Sequence, residues 1–126
     1  MVSISEVMST ELKKIPCEAS IADTAKKMRD ERVGALLIER NGELVGSVSD
    51  RELVRKAVAE RKDLDSTTVE SIMTTPLNSI DTTETLLDVQ DKMKDLGVRH
   101  LVVREAGTVV GIISIGDLLA YFTWRA

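Results

Sequence analysis

The stretch GIISIGDLLAYF, residues 111–122, sets a serine and an aspartate three residues apart, where an apolar strand pattern gives way to a helical one. A near copy, GSVSDRELV, occupies residues 46–54. Working outward from these two, VMSTELKKIP beginning at Val7 matches IMTTPLNSID beginning at Ile72, an offset of 65 residues. The same offset, without a gap, pairs Asp23 with Asp88, Met28 with Met93, Val33 with Val98 and Leu36 with Leu101. It also pairs Gly42 with Gly107, Gly46 with Gly111, Ser49 with Ser114 and Leu53 with Leu118. Agreement at one period over so many positions marks a duplicated unit, and such a repeat governs how every other feature is read.

Both copies carry one pattern. Ser20 and Thr85 can cap a helix, with Asp23 and Asp88 three residues on to reinforce its start. Ile21, Ala25 and Met28 recur at helical spacing, as do Leu86, Val89 and Met93. Two short apolar strands follow, ALLIE and LVGSVS in the first copy, HLVVRE and VVGIIS in the second. Asn41-Gly42 and Ala106-Gly107 supply the hairpin turns between them. A second helix comes next, DRELVRKAVAERK in the first copy and GDLLAYFTW in the second. With a short extended piece at LKKIP or LNSI, the unit is β-α-β-β-α and the fold class is α+β. The expected boundaries are 1–62 for the first repeat, 63–67 for a linker and 68–126 for the second repeat. A unit of about 60 residues is marginal alone, so the copies are expected to pack as a pseudo-two-fold pair. Two clefts, each lined by residues of both copies, follow from that arrangement.

The composition narrows the function classes. Hydrophobic residues make up 43% of the 126 residues, enough for a packed core rather than a disordered chain. Tyr121, Phe122 and Trp124 are the whole aromatic complement, so aliphatic side chains must fill that core. A formal net charge of −4 argues against a general nucleic-acid surface. No apolar run nears the roughly 18 residues of a membrane span, and the N-terminus lacks the pattern of a signal peptide. A soluble, cytoplasmic protein with no membrane partner is expected. Cys17 is the one cysteine and His100 the one histidine, too few for a disulfide framework or a clustered metal centre. Ser114, His100 and Asp117 have the residue types of a hydrolytic triad. However, the chain has no G-x-S-x-G elbow, and the repeat already accounts for the serine and the aspartate. No catalytic residue is expected.

The repeat resembles a cystathionine-β-synthase (CBS) domain, and the whole chain resembles a tandem CBS pair, a Bateman-type module. The resemblance rests on VMST and IMTT at the unit starts, on RVGALLIERNGELVGSVSDREL, and on GVRHLVVREAGTVVGIISIGDL. It implies a regulatory sensor that binds an adenosine-containing ligand (AMP, ADP, ATP or S-adenosylmethionine) in an inter-repeat cleft and signals to a partner protein in trans. The nucleotide is then a regulatory ligand, and no cofactor is implied.

In the family a Ser/Thr-x-x-Asp motif follows the last strand. Its carboxylate accepts hydrogen bonds from the ribose hydroxyls, and its hydroxyl residue contacts ribose or phosphate. Ser114 and Asp117 match that motif. The resemblance also implies Arg99 and His100 at the phosphates, where a guanidinium fork donates in pairs. Val33, Gly34 and Ala35 would line the adenine, Ile112 would pack on its other side, and Ala19 would stand at the entrance to the first helix.

A possible second cleft would hold Ser49 and Glu52, with Val98 and Arg99 lining it and Gly34 and Ala35 replacing the basic pair. Glu52 stands where aspartate is expected, displacing the carboxylate by about one C–C bond, so the Asp117 cleft is the expected ligand site. A homodimer through the aromatic last helix is also implied. Two plainer readings stand beside these. Ser114 and Asp117 can simply start a helix, and the chain can be a ligand-independent dimerisation or scaffold module.

Overall fold

A short helix, α1 (Ile4–Val7), precedes the first full copy of the repeated unit in the computed structural model, which describes residues 2–125, excluding the side chains of residues 124 and 125. The first copy runs β1 (Lys14–Pro16), α2 (Ile21–Glu31), β2 (Ala35–Arg40), β3 (Glu43–Ser49) and α3 (Asp50–Glu52). α3 continues as a π-helical turn over Leu53–Val58. After a 3-10 turn at Val69–Ser71, the second copy runs β4 (Ser79–Asp81), α4 (Leu86–Leu96), β5 (His100–Glu105), β6 (Thr108–Ser114) and α5 (Ile115–Arg125). Two three-stranded sheets result, ordered β1-β2-β3 and β4-β5-β6, each with one parallel and one antiparallel pairing. The α+β class and the duplicated unit are both present.

Local chemistry explains these elements. Ser20 Oγ accepts the Asp23 amide at 3.0 Å, and Thr85 exchanges two such bonds with Asp88, satisfying amides that the first turn of a helix leaves unpaired. Both helices end on a left-handed residue, Arg32 at φ 57° and Gly97 at φ 68°. Each hairpin closes through two residues at positive φ, Asn41 and Gly42 in one, Ala106 and Gly107 in the other. That is the two-residue turn whose twist matches the strands. In each hairpin the pairing slips by one residue, between Ile38 and Glu39 and between Val103 and Arg104. This bulge lies next to a glycine that recurs in both copies, Gly46 or Gly111.

Each unit has its own core. In one, Ile15, Ile21, Met28, Leu36, Ile38, Val48, Leu53, Ala57, Val69 and Ile72 pack together. In the other, Ile4, Ile80, Val89, Met93, Leu101, Val103, Ile113 and Leu118 do. Burying one such branched aliphatic side chain contributes about 1.5–3 kcal/mol. The π-helical turn keeps Leu53 and Ala57 in the core and leaves Val54 and Val58 exposed. The helix expected over 50–62 therefore stops at Val58, where the Ala59 amide reaches back five residues to the Val54 carbonyl.

The compact units do not follow the repeat boundaries. One comprises Lys13–Leu77, the other Met1–Leu12 with Asn78–Ala126. The leading segment of each repeat has thus changed places. Ser9 bridges Ile112 on the edge of β6 through bonds of 2.8 and 2.9 Å, and Thr74 bridges Ser47 on the edge of β3 through bonds of 2.8 and 3.0 Å. Gly46 and Gly111 permit this approach. A β-carbon at residue 46 would stand 2.7 Å from both Met73 Sδ and the Thr74 carbonyl oxygen. The segment 63–67, read from sequence as a linker, covers the start of α2. The Leu64 and Thr67 carbonyls accept the amides of Ala22 and Ile21 at 2.9 and 3.0 Å.

Cys17 is buried, and its thiol donates to Glu18 Oε2 at 3.0 Å. That carboxylate, together with burial, pushes the thiol above its ordinary range, so it behaves as a small protonated core residue.

Candidate functional site

The expected site residues fall into the two units, and the chemistry of each is distinct. In the second repeat, β5 and β6 set His100 directly opposite Ser114 and Val102 opposite Ile112. Successive strand residues alternate faces. Leu101, Val103 and Ile113 therefore turn to the core, while His100, Ile112 and Ser114 share the other face. The Ile115 amide donates to the Arg99 carbonyl at 2.8 Å, which fixes the exposed Arg99 beside the start of α5. Arg99, His100, Ser114 and Asp117 thus gather at one end of one hairpin.

Ser114 and Asp117 form a reciprocal cap. The Ser114 amide donates to Asp117 Oδ2 at 2.8 Å, and the Asp117 amide donates to Ser114 Oγ at 3.1 Å. The helix-start reading is therefore physically realised. It uses one carboxylate oxygen, Oδ2. A half-buried carboxylate at the end of a hairpin that also carries Arg99 and His100 can accept hydroxyl protons from a ligand whose anionic part meets the bases.

The first repeat builds the same cap with different consequences. The Ser49 amide donates to Glu52 Oε1 at 3.1 Å, and the Glu52 amide to Ser49 Oγ at 3.2 Å. Here the second oxygen is occupied, since Glu52 Oε2 accepts Lys56 Nζ at 2.9 Å and the Thr74 hydroxyl at 2.7 Å. Ala35 stands opposite Ser49, and the Gly34 carbonyl accepts the Asp50 amide at 2.9 Å. A β-carbon on Gly34 would lie 3.4 Å from Asp50 Oδ2. Where the second repeat offers Arg99 and His100, the first therefore offers no base and an adjacent carboxylate.

Ala19 and Val33 pack against the core of the first unit, and Val98 against that of the second. Lys56 and Thr74 were not singled out from sequence. The i, i+4 spacing of Glu52 and Lys56 signals their pairing, whereas nothing local announces Thr74. Among the described residues no group of three or more His, Cys, Asp or Glu could hold a metal ion. No helix there is long and apolar enough to cross a membrane.

Two β-α-β-β-α units, each closing on a Ser-x-x-Asp or Ser-x-x-Glu cap, are the architecture of a tandem regulatory module. The CBS domain model matches residues 4–59 and 69–123, so the chain belongs to the CBS domain family and carries the domain twice. It is 31% identical over 117 residues to an uncharacterized 17.7 kDa protein in the bps2 3' region of Acidianus ambivalens, a match spanning 91% of this chain and 70% of that protein. An uncharacterized conserved protein from Pyrococcus horikoshii aligns at a TM-score of 0.90 and 26% identity, over 96% of this chain and 92% of that one. A hexameric CBS-CP12 protein from bloom-forming cyanobacteria aligns at 0.83 and 26%, over 94% and 70%. A tandem CBS pair is a regulatory module, commonly a ligand-binding one.

Proposed function

We propose that the chain is a sensor of an adenosine-containing ligand (AMP, ADP, ATP or S-adenosylmethionine) and relays its occupancy to a partner protein in the cytoplasm. The observation that carries this reading is the gathering of the Ser114–Asp117 cap, Arg99 and His100 at one end of one hairpin. Asp117 accepts the ribose hydroxyls, Ser114 supports them, and Arg99 and His100 meet the phosphates. Ile112 lies on the same sheet face as His100 and Ser114 and packs against the base; Val33, Gly34, Ala35 and Ala19 join it on the family resemblance alone. Ser49, Glu52 and Val98 belong to the weaker second position. The role is regulatory, with no catalytic step. Thermal shifts in AMP, ADP, ATP and S-adenosylmethionine test it, because a ligand that binds only the folded state raises the melting temperature. A panel with no shift rejects the reading.

A second reading, a scaffold that acts by self-association, is favoured by the outer face of α5. Ile115, Leu119 and Phe122 recur there at helical spacing with exposures of 44%, 61% and 52%. This stripe supports the homodimer implied by the resemblance. The contribution expected from the Trp124 side chain lies outside the described residues.

A further inference from the structure

We infer that Glu52 is an internal clasp rather than a ligand acceptor, so that the chain holds one nucleotide instead of two. The count of one rests on the adenosine reading above, whereas the clasp itself does not.

An ionised carboxylate offers about four acceptor positions. In Glu52 all are engaged. Oε1 faces the Ser49 amide at 3.1 Å and the Ser49 hydroxyl at 3.3 Å, and Oε2 faces Lys56 Nζ at 2.9 Å and the Thr74 hydroxyl at 2.7 Å. Its side chain is 17% exposed, so water does not compete freely for those bonds. A ribose arriving here would have to displace an ammonium group from a carboxylate and leave the Thr74 hydroxyl unpaired.

The clasp also has something to hold. Lys56 Nζ donates a second bond to the Ile72 carbonyl at 3.2 Å, and Thr74 is already bridged to Ser47 by its backbone. Glu52 and Lys56 therefore pin residues 72–74, the exchanged segment, against the helix that follows β3.

The other repeat keeps the cap but carries different residues at the other places. At the offset of 65 residues, Glu52, Lys56 and Thr74 correspond to Asp117, Tyr121 and Ser9. Aspartate is one methylene shorter, tyrosine brings no ammonium group, and the Ser9 hydroxyl accepts the Glu11 amide at 3.3 Å. The extra methylene of Glu52 lets one carboxylate cap its helix and reach the crossing segment together. Two copies of one motif thus serve different ends, and in the first the carboxylate is a closed clasp.

The test uses the full chain as wild type, Glu52→Gln, Lys56→Met and the double variant, melted without ligand and titrated calorimetrically with AMP and ATP. The clasp predicts that each single change lowers the melting temperature by several degrees. The double variant should fall little further than the worse single, because the two side chains act on one interaction. Wild type and Glu52→Gln should both bind one nucleotide per chain, with dissociation constants agreeing within about twofold. Two nucleotides per wild-type chain, or single changes that leave melting untouched or add in full, would overturn the inference. If neither nucleotide binds wild type, the sensor reading fails by itself and the melting series still decides the clasp. Should Glu52→Gln not fold, Lys56→Met gives the same two measurements.

Discussion

Met8 Sδ lies 2.6 Å from the point where a β-carbon on Gly111 would stand, and the Ser9 carbonyl oxygen lies 2.9 Å from it. The sulfur can swing aside, but the backbone oxygen belongs to the bridge with Ile112. Gly111→Ala should therefore force the crossing segment off the edge of β6. Overpacking of this kind costs about 1–3 kcal/mol, a fall in melting temperature of at least roughly 3 °C for a chain of this size. Unchanged melting would show that the segment is not held there.

The two hairpins contain their own control for backbone strain. Asn41 and Ala106 share the left-handed conformation, at φ 52° and 50°. Asparagine visits that region readily, whereas alanine carries a penalty of about 1–2 kcal/mol. Ala106→Asn should raise the stability of the chain by about 1 kcal/mol and Asn41→Ala should lower it by a similar amount. Chemical denaturation of the two variants reads both signs.

Acid should weaken the fold through aspartates that accept backbone amides. Asp88 is held below its usual value of 3.8 by the Thr85 amide and hydroxyl, and Asp81 by the Thr83 amide and hydroxyl. Asp63 is likewise lowered by the amides of Ser66 and Asp65. For a depressed carboxyl the unfolded chain binds more protons, so stability is complete above about pH 4 and is lost as pH falls through the folded value. Asp88→Asn should melt lower than wild type near neutrality, with the gap closing toward pH 3. A gap that does not change with pH would show that the charge of Asp88 plays no part.

Ligand binding should hinge on Asp117. Removing a charged acceptor costs roughly 1.5–3 kcal/mol, about 10- to 150-fold in affinity. Asp117→Ala should lose most of the nucleotide-induced rise in melting temperature. A 2′-deoxy ligand should bind wild type more weakly yet lose little further on the variant, since the hydroxyl's partner is already gone. Equal nucleotide affinity in Asp117→Ala and wild type would reduce Asp117 to a helix cap.

Self-association should depend on the outer stripe of α5. Leu119→Lys with Phe122→Lys places two charges on an apolar face without touching Leu118, which is 5% exposed and belongs to the core. Light scattering should report dimers for wild type and monomers for the variant. Monomeric wild type at tens of micromolar would leave that stripe without a role.

Strands and helices were readable because apolar residues form short runs or recur every third or fourth residue, as in HLVVRE over β5 and in Leu86, Val89 and Met93 along α4. The caps were readable too, since Thr85 and Asp88 need only each other. The exchange of leading segments was not. VMST and IMTT have no periodicity, and Met8 meets its partner Gly111 far along the chain. The one hint was that Met8 recurs at Met73 and Gly111 at Gly46 under the same offset. The expected site shows the same division. Ser114 and Asp117 could be paired by spacing, while the commitment of Glu52 to Thr74 required the fold.

Because Thr74 completes the edge of β3 and Ser9 completes the edge of β6, neither repeat is self-sufficient when cut at its sequence boundary. A fragment of residues 1–62 would keep its own hook yet lack the one it needs, leaving Ser47 with both backbone groups unanswered. Residues 13–77 form the piece that closes on itself. A protein made of one repeat could complete its sheet only by lending its hook to a second copy and borrowing one in return. Fusing two repeats end to end turns that loan between molecules into an arrangement within one chain, independent of protein concentration.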